Sequence, residues 1–232
     1  MIRAILFDLD GTLLSVNQVE FMRNYIGLLS PRFAHLLPSD RFAKQLLRSI
    51  DVMIKGPKPD HTNLQTFFDD FSKATGLTYN TLWPIFEEFY ATDFPALQCM
   101  SRANPEGKKV IEFALQQGFM TALASNPVLP MAAVVERIRW AELSVEQFAV
   151  IPSIEDFHFC KPHLGFFEEI ARKLKLKPTE CLMVGNHPVE DMVARELGLK
   201  TFFLAESSDD NKLSDYSGEL SDLSQLILKG NL

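Results

Sequence analysis

Residues 2–12 read IRAILFDLDGT, a short apolar run that leads directly into two acids, a glycine and a threonine. The apolar residues 2–7 predict a buried β-strand, so Asp8 and Asp10 stand at its carboxyl end, where open α/β sheets place their ligands. Two residues apart in an extended chain, the two carboxylates point to the same side and repel each other. A divalent cation is the natural partner of such a pair.

The two residues that follow the acids add to this interpretation. Gly11 allows the backbone to turn tightly, and Thr12 offers a hydroxyl and an N–H to an anion. The alternative is an ordinary turn after a strand, where Asp and Gly are common residues. Turn chemistry explains Asp10 and Gly11 but not the second acid at Asp8.

The rest of the chain alternates between strand and helix patterns. Apolar runs rich in β-branched and aromatic residues predict further buried strands at residues 119–124, 148–151, 181–184 and 200–204. Helical spacing predicts helices at residues 106–117, 131–141, 164–174, 189–197 and 220–228. This alternation predicts an α/β fold with a doubly wound parallel sheet, a Rossmann-like core.

One long segment interrupts the alternation, because its apolar residues keep helical spacing and no strand-like run appears. The predicted helices are residues 18–29, 40–54, 62–75 and 80–90, separated by glycine and proline breakers. A structureless loop of this length is improbable inside a compact domain. We therefore expect a core formed by residues 1–15 and 102–232, with an inserted all-helical cap domain at residues 16–101.

Composition and charge restrict the classes of partner. The chain has 232 residues, of which 47% are hydrophobic, and a formal net charge of -7. This charge disfavours nucleic acid and anionic membranes, since both attract clustered Lys and Arg. Carboxylates near the N-terminus argue against a signal peptide, no stretch approaches membrane-spanning length, and three scattered cysteines fit a reducing compartment. We expect a cytoplasmic protein with neither nucleic acid nor membrane as a partner.

Polar residues follow two further strands in positions that suit an anion. Ser125 and Asn126 come directly after the predicted strand 119–124 and offer a hydroxyl and an amide to a phosphoryl oxygen, although both residues are also common in turns and caps. Lys161 precedes Pro162 at the predicted entrance of the helix 164–174. A cation there opposes the helix dipole, which indicates that Lys161 meets an anion, the alternative being a surface lysine.

A last polar stretch, residues 185–191 with the sequence GNHPVED, follows the predicted strand 181–184. Gly185 would end the strand, and Glu190 and Asp191 would occupy the first turn of the helix 189–197. Acids are favourable in that turn of any helix, so this position does not require a function. His187 is expected to be a loop residue.

Together, these motifs resemble those of the haloacid dehalogenase-like hydrolase superfamily. Residues 8–12 match the family's first motif, DxDxT after the first strand, and Ser125 matches the second, a Ser or Thr at the end of the next core strand. Lys161 followed by Pro matches the third motif, and residues 185–191 match the acidic fourth motif. The insertion after the first motif resembles the family's helical first-type cap.

The resemblance implies a phosphatase whose chemistry these residues perform. Asp8 would be the nucleophile that forms an aspartyl-phosphate, and Asp10 the general acid that then activates water as a base. The implied phosphate-binding residues are Thr12, Ser125, Asn126 and Lys161. Mg²⁺ would be held by Asp8, by the backbone carbonyl of Asp10 and by a group of the fourth motif, Asn186 or Asp191.

The resemblance leaves alternatives open. Most members of the family have Asp where this chain has Asn186, which motivates a catalytically degraded binding or regulatory protein as one alternative. A phosphomutase would share every core residue and differ in its cap. Asp10 argues against the dehalogenating branch, which lacks an acid there. We expect the substrate to be a small phosphorylated metabolite.

Overall fold

The computed structural model describes residues 1–204 and 214–230. The strands, in chain order, are β1 (Ala4–Phe7), β2 (Leu14–Val16), β3 (Ser101–Ala103), β4 (Met120–Leu123), β5 (Cys181–Gly185), β6 (Lys200–Leu204) and β7 (Tyr216–Gly218). Five of them form one parallel sheet in the spatial order β4-β1-β5-β6-β7, while β2 and β3 pair antiparallel with each other. The predicted parallel α/β sheet is confirmed.

The helices follow the predicted spans closely. They are α1 (Gln18–Leu29), α2 (Ser39–Lys55), α3 (Asn63–Thr75), α4 (Tyr79–Thr92), α5 (Pro105–Gln116), α6 (Met131–Trp140), α7 (Leu164–Leu174) and α8 (Leu220–Leu228). Local signals set these ends: at α3, Thr62 and Gln65 form a capping box and Gly76 ends the helix at a φ of 76°. Such signals lie within a few residues of the helix, so they can be read from sequence.

Side chains of β1 alternate between two hydrophobic clusters, because successive residues of a strand point to opposite faces of the sheet. Ile5 and Phe7 belong to one cluster, and Ala4 and Leu6 belong to the other. Residues of α5, α6 and α8 contribute to the first cluster, and residues of α7 contribute to the second. Helices therefore cover both faces of the sheet, which confirms the doubly wound arrangement.

The prediction of a strand at residues 148–151 is wrong. This segment runs beside β4 and makes only an isolated parallel bridge, between Ala122 and Val150. Ala149 N–H donates to Thr121 O at 2.8 Å, and Leu123 N–H donates to Val150 O at 2.9 Å. Pro152 has no N–H with which to extend the pairing, so the segment does not form a strand.

The prediction of a helix at residues 189–197 is also wrong in its first part, since only a short 3₁₀ helix, Met192–Leu197, forms there. The His187 ring accepts the backbone N–H of Glu190 at 3.0 Å, and the Asp191 carboxylate accepts the N–H of His187 at 2.9 Å. These contacts fix a turn over residues 187–191, ahead of the 3₁₀ helix. Glu190 and Asp191 therefore lie before that helix and not in its first turn.

The inserted cap consists of α1 to α4 with two 3₁₀ segments, Ser30–Phe33 and Phe94–Met100. Its interior is aromatic: the rings of Phe33 and Phe42 stack with centroids 4.3 Å apart. The chain enters and leaves the cap along the ribbon of β2 and β3, in which Ser15 pairs with Arg102. The division of the chain at residues 16 and 101 stays a prediction.

The cap also contacts the core at the start of α3. Asn63 N–H donates to Phe157 O at 2.7 Å, and Leu64 N–H donates to Ile154 O at 2.8 Å. The Asn63 side chain, itself buried, donates to Pro127 O at 3.3 Å. These bonds hold one end of the cap beside the carboxyl edge of the sheet.

In the part of the chain that the structure describes, no helix has both the length and the apolar character needed to span a membrane.

Candidate active site

Strand register brings the predicted site residues to one edge of the sheet. Phe7, the last residue of β1, lies opposite Leu123 of β4 on one side and Val184 of β5 on the other. Because the three strands are parallel and end at the same level, the residues that follow them become neighbours. Asp8, Ser125 and Asn186 therefore line the same pocket, although they are far apart in the chain.

Lys161 lies at the centre of this site and is buried, with 2% of its surface exposed. Its ammonium Nζ donates to Asp8 Oδ1 at 2.7 Å and to Asp191 Oδ1 at 2.6 Å. The predicted anionic partner thus exists, and in this structure it is a pair of the protein's own carboxylates. The alternative of a surface lysine is wrong.

The backbone around Lys161 agrees with the predicted helix at residues 164–174. Helix α7 begins at Leu164 with His163 as its N-cap, so Lys161 lies just before the entrance of the helix. The backbone N–H of Lys161 donates to Asn126 Oδ1 at 3.1 Å, and this bond connects the third motif to the loop after β4. The amide oxygen of Asn126 is therefore engaged with the backbone, and the residue also lines the pocket that holds Asp8 and Ser125.

Burial and charge oppose each other at Asp8. The pKa of Asp8 is raised to about 7: burial, the largest cause, and the nearby Asp191 carboxylate raise it, while the Lys161 ammonium acts to lower it. Burial lowers the pKa of Lys161, but the carboxylates of Asp8 and Asp191 outweigh that effect and raise the pKa overall. Lys161 is thus a permanent cation, and Asp8 depends on positive charge nearby to stay ionised.

Gly11 makes room for Asn186 beside the first motif. Its φ is 81°, a conformation that suits glycine, and a Cβ placed there would lie 2.2 Å from Asn186 Nδ2. Thr12 Oγ1 lies 3.4 Å from both Asp8 Oδ2 and Asn186 Oδ1. The two oxygens of Asp8 and Asn186 consequently share one small region of the site.

Asp191 is completely buried, and both of its carboxylate oxygens have partners. Oδ1 accepts from Lys161 Nζ, and Oδ2 accepts from the N–H of His187. Gly185 permits this close packing, because a Cβ there would lie 2.2 Å from Asp191 Oδ2. The geometry thus separates the two candidates of the fourth motif: Asp191 supports Lys161, while Asn186 turns its oxygen toward Asp8 and Thr12.

Arg137 is a site residue that the sequence analysis missed. It lies on α6, is 6% exposed, and forms an ion pair with Asp10 Oδ1. Its guanidinium carbon lies 5.5 Å from the centre of the Phe21 ring of the cap, and its Nε has no hydrogen-bond partner among the described residues. A charged residue in the buried stripe of Val134, Ile138 and Ala141 was the available signal, because helical spacing places Arg137 on that inward face.

The oxygen donors at this edge fit a small divalent cation. Asp8 supplies a carboxylate, Asn186 an amide oxygen and Asp10 a backbone carbonyl, which are the hard ligands that Mg²⁺ prefers. Within residues 1–204 and 214–230 no cluster of three or more His, Cys, Asp or Glu could hold a metal ion by itself. A site here would therefore depend on the amide and carbonyl oxygens and on water.

A pocket of about 360 Å³ opens over these residues and reaches the cap. The core contributes the acids, Arg137, Lys161 and Ser125, while α1 and α2 contribute the opposite wall. Such a volume is near the lower end for small-molecule sites. The fold and the site together define a doubly wound α/β protein with an acidic, cap-covered pocket at the carboxyl edge of its parallel sheet.

The chain belongs to the haloacid dehalogenase-like hydrolase family, whose model matches residues 2–198. A glyceraldehyde 3-phosphate phosphatase of Pyrococcus furiosus is 26% identical over 207 residues, covering 86% of this chain and 79% of that protein. The pyrophosphatase PpaX of Bacillus cereus is 25% identical over 207 residues, covering 86% of this chain and 82% of its own. The resemblance inferred from the four motifs is confirmed.

Solved structures show the same fold. A phosphatase of this family from Thermococcus onnurineus superposes with a TM-score of 0.61 at 18% identity, covering 97% of this chain and 98% of that one. A 2-haloacid dehalogenase from Pseudomonas syringae superposes with a TM-score of 0.64 at 19% identity, covering 99% of both chains. Both likenesses include the helical cap, so the cap is part of the shared architecture.

Proposed function

We propose that this hydrolase is a Mg²⁺-dependent phosphatase that removes phosphate from a small phosphorylated metabolite through an aspartyl-phosphate on Asp8. The observation that carries the proposal is the contact of Asp8 with the buried Lys161, 2.7 Å away, with Asp10 two residues further along the same strand end. Relatives named as phosphatases support the reaction class.

In the first step, a carboxylate oxygen of Asp8 attacks phosphorus, and the bond from phosphorus to the ester oxygen breaks. Asp10 donates a proton to the departing oxygen, so the product leaves as a neutral alcohol. Lys161, Ser125, Thr12 and the amide of Asn126 bind the phosphoryl oxygens. Lys161 suits this role because its ammonium already lies against the attacking carboxylate.

In the second step, Asp10 accepts a proton from water, and that water attacks the phosphorus of the aspartyl-phosphate. The bond between Asp8 and phosphorus breaks, which releases inorganic phosphate and restores both acids. Mg²⁺, when bound, neutralises charge on the phosphoryl group and on Asp8. We assign its ligands as Asp8, the carbonyl of Asp10 and Asn186, because Asn186 is partly exposed in the pocket. We assign Asp191 to hold Lys161, because Asp191 is completely buried against the Lys161 ammonium and the N–H of His187.

The test is release of inorganic phosphate from 4-nitrophenyl phosphate by the purified chain. We expect hydrolysis that requires Mg²⁺ and is abolished by the chelator EDTA and by Asp8→Asn. Cys99→Ser, at an exposed cysteine outside the pocket, is the matched control and should keep full activity. Normal turnover in Asp8→Asn would contradict the assignment of the nucleophile.

Product analysis distinguishes hydrolysis from transfer. Sugar phosphates are supplied with and without a sugar bisphosphate, and both free phosphate and isomerised product are measured. Phosphate release that needs no bisphosphate supports the phosphatase. Isomerisation with little phosphate release would replace it with a phosphomutase, which uses the same core residues.

A further inference from the structure

We infer that the substrate is a phosphomonoester of a small, largely apolar alcohol that has no second anionic group. This inference rests on the proposed phosphatase activity and adds the class of leaving group. It is carried by the wall of the pocket that faces the acids. That wall comes from α1 and α2 of the cap, and its chemistry is unlike that of the core side.

The cap wall is hydrophobic. Phe21, Met22 and Tyr25 of α1 and Ile50 and Ile54 of α2 line the pocket. They are placed there by helical spacing, which brings residues three or four apart to one face of a helix. An alcohol with hydroxyl or carboxylate groups would have to leave water to meet these side chains, whereas an apolar group gains by the same transfer.

The polar atoms of this wall are few. The Tyr25 hydroxyl is hydrogen bonded to the Tyr90 hydroxyl at 2.7 Å inside the cap, and both tyrosines are buried. Gln18, an exposed residue at the start of α1, is the other polar side chain that α1 and α2 add to the described pocket lining. The wall therefore has little with which to recognise a sugar or a polyol.

The charges of the pocket also argue against a second anionic group. Its lining contains four carboxylates, those of Asp8, Asp10, Glu190 and Asp191, and two permanent cations. Each cation is already paired, Lys161 with Asp8 and Asp191, and Arg137 with Asp10. After one phosphoryl group is bound, a carboxylate or second phosphate would find no free cation among the described lining residues and would lie near Glu190 and an apolar wall, which is unfavourable.

The size of the pocket indicates a compact alcohol. A volume of about 360 Å³ must hold the phosphoryl group and the alcohol together. A second cavity of about 30 Å³ shares the lining residues Tyr25, Ile50 and Val128 and is surrounded by aromatic side chains of the cap. Its aromatic and aliphatic lining adds to the apolar surface that the alcohol would meet.

Two nearly isosteric esters test the inference. In 3-methylbutyl phosphate the alcohol ends in an isopropyl group, and in 3-(phosphonooxy)propanoate a carboxylate of similar shape replaces it. Both are primary alcohol esters, so their phosphorus chemistry is closely matched. With Mg²⁺ present, we expect kcat/KM to be at least about tenfold higher for the isopropyl ester, since two buried methyl groups alone are worth about that factor. sn-Glycerol 3-phosphate should be used less well than the isopropyl ester.

Variants of the cap wall make the test independent of absolute activity. Ile54→Lys adds a cation to the wall and should raise the ratio of kcat/KM for the carboxylate ester over the isopropyl ester by about tenfold. Met22→Lys should act in the same direction, and Met22 is 37% exposed, so a charge there is tolerated by the fold. Val52→Lys is the control, because Val52 lies on α2, is 36% exposed and does not line the pocket.

The outcomes separate this inference from the proposed function. Hydrolysis of 4-nitrophenyl phosphate together with equal or better use of the carboxylate ester or of sn-glycerol 3-phosphate would overturn the apolar substrate and leave the phosphatase intact. An unchanged ratio in both lysine variants of the wall would overturn it as well. Absence of phosphate release from every ester, with Asp8→Asn identical to the parent, would remove the phosphatase and this inference together.

Discussion

The guanidinium of Arg137 forms an ion pair with the carboxylate of Asp10, and this contact joins α6 to the end of β1. Arg137 is almost completely buried, while the Asp10 side chain is 24% exposed toward the pocket. The pair therefore fixes the direction of the carboxylate that we assign to proton transfer. A residue outside the four motifs thus positions one that lies within them.

Removal of this contact should misplace Asp10. We expect Arg137→Gln to reduce kcat for alkyl phosphates by about 10- to 100-fold, because small displacements of a catalytic group cost this much. The free energy of unfolding, measured in urea, should fall by roughly 1–3 kcal/mol. This is less than for a fully buried pair, because Asp10 reaches solvent. Arg137→Lys should recover part of the rate. Arg139→Gln, at an exposed arginine of the same helix, should change stability by less than about 0.5 kcal/mol.

Asp10 itself should matter most when the leaving oxygen needs a proton. General acids typically contribute about 10² to 10⁴ in rate, and we expect Asp10→Asn to lose that factor with an alkyl phosphate. The loss should be much smaller with 4-nitrophenyl phosphate, whose leaving group departs readily without protonation. Steady-state rates for both esters give the comparison. Equal losses for the two esters would contradict the role of Asp10 as the acid.

The two candidates of the fourth motif should respond differently to substitution. Asn186→Asp is isosteric and adds a negative charge beside Asp8, so it should lower the Mg²⁺ concentration for half-maximal activity by about tenfold. Asp191→Asn should chiefly reduce stability, because it removes one partner of the buried Lys161. The measurements are activity against Mg²⁺ concentration at fixed ionic strength and urea unfolding. A raised Mg²⁺ requirement in Asp191→Asn, with stability unchanged, would make Asp191 the ligand.

The raised pKa of Asp8 predicts a pH-dependent stability in the metal-free protein. This pKa rises from an ordinary value of 3.8 to about 7, chiefly because Asp8 is buried, so the folded state binds the proton more tightly than the unfolded state. Ionisation of Asp8 therefore costs stability: the cost is absent below the unfolded pKa, grows as the pH rises, and is complete above about 7. Its size is at most about 4 kcal/mol.

Asp8→Asn should remove this cost. In EDTA at pH 8, we expect the free energy of unfolding, measured in urea, to be higher for the variant than for the parent by roughly 1–4 kcal/mol. At pH 4 this difference should nearly vanish. Asp51→Asn, at an exposed acid of α2, is the control and should show no such trend. A variant less stable than the parent at pH 8 would show that the Lys161 contact outweighs burial at Asp8.

The sequence by itself determined most of the order of strands and helices, the presence of a helical insertion after the first motif, and the place of Asp8 and Asp10 at the end of the first strand. These features depend on signals within a few residues of each other: apolar runs, helical spacing, caps and the IRAILFDLDGT segment. At residues 148–151 and 189–197 the local signals predicted more regular structure than forms, namely an isolated bridge and a short 3₁₀ helix.

Only the tertiary structure decided which charges meet. Lys161 is 153 residues from Asp8 along the chain, and Arg137 is 127 residues from Asp10. Both pairs form at the edge of the sheet where the register of β1 with β4 and β5 brings the carboxyl ends of these strands together. The different contacts of Asn186 and Asp191, and the apolar wall of the cap, follow from the same packing. No local pattern encodes these contacts, because their energies arise between elements that are distant in sequence and adjacent only after folding.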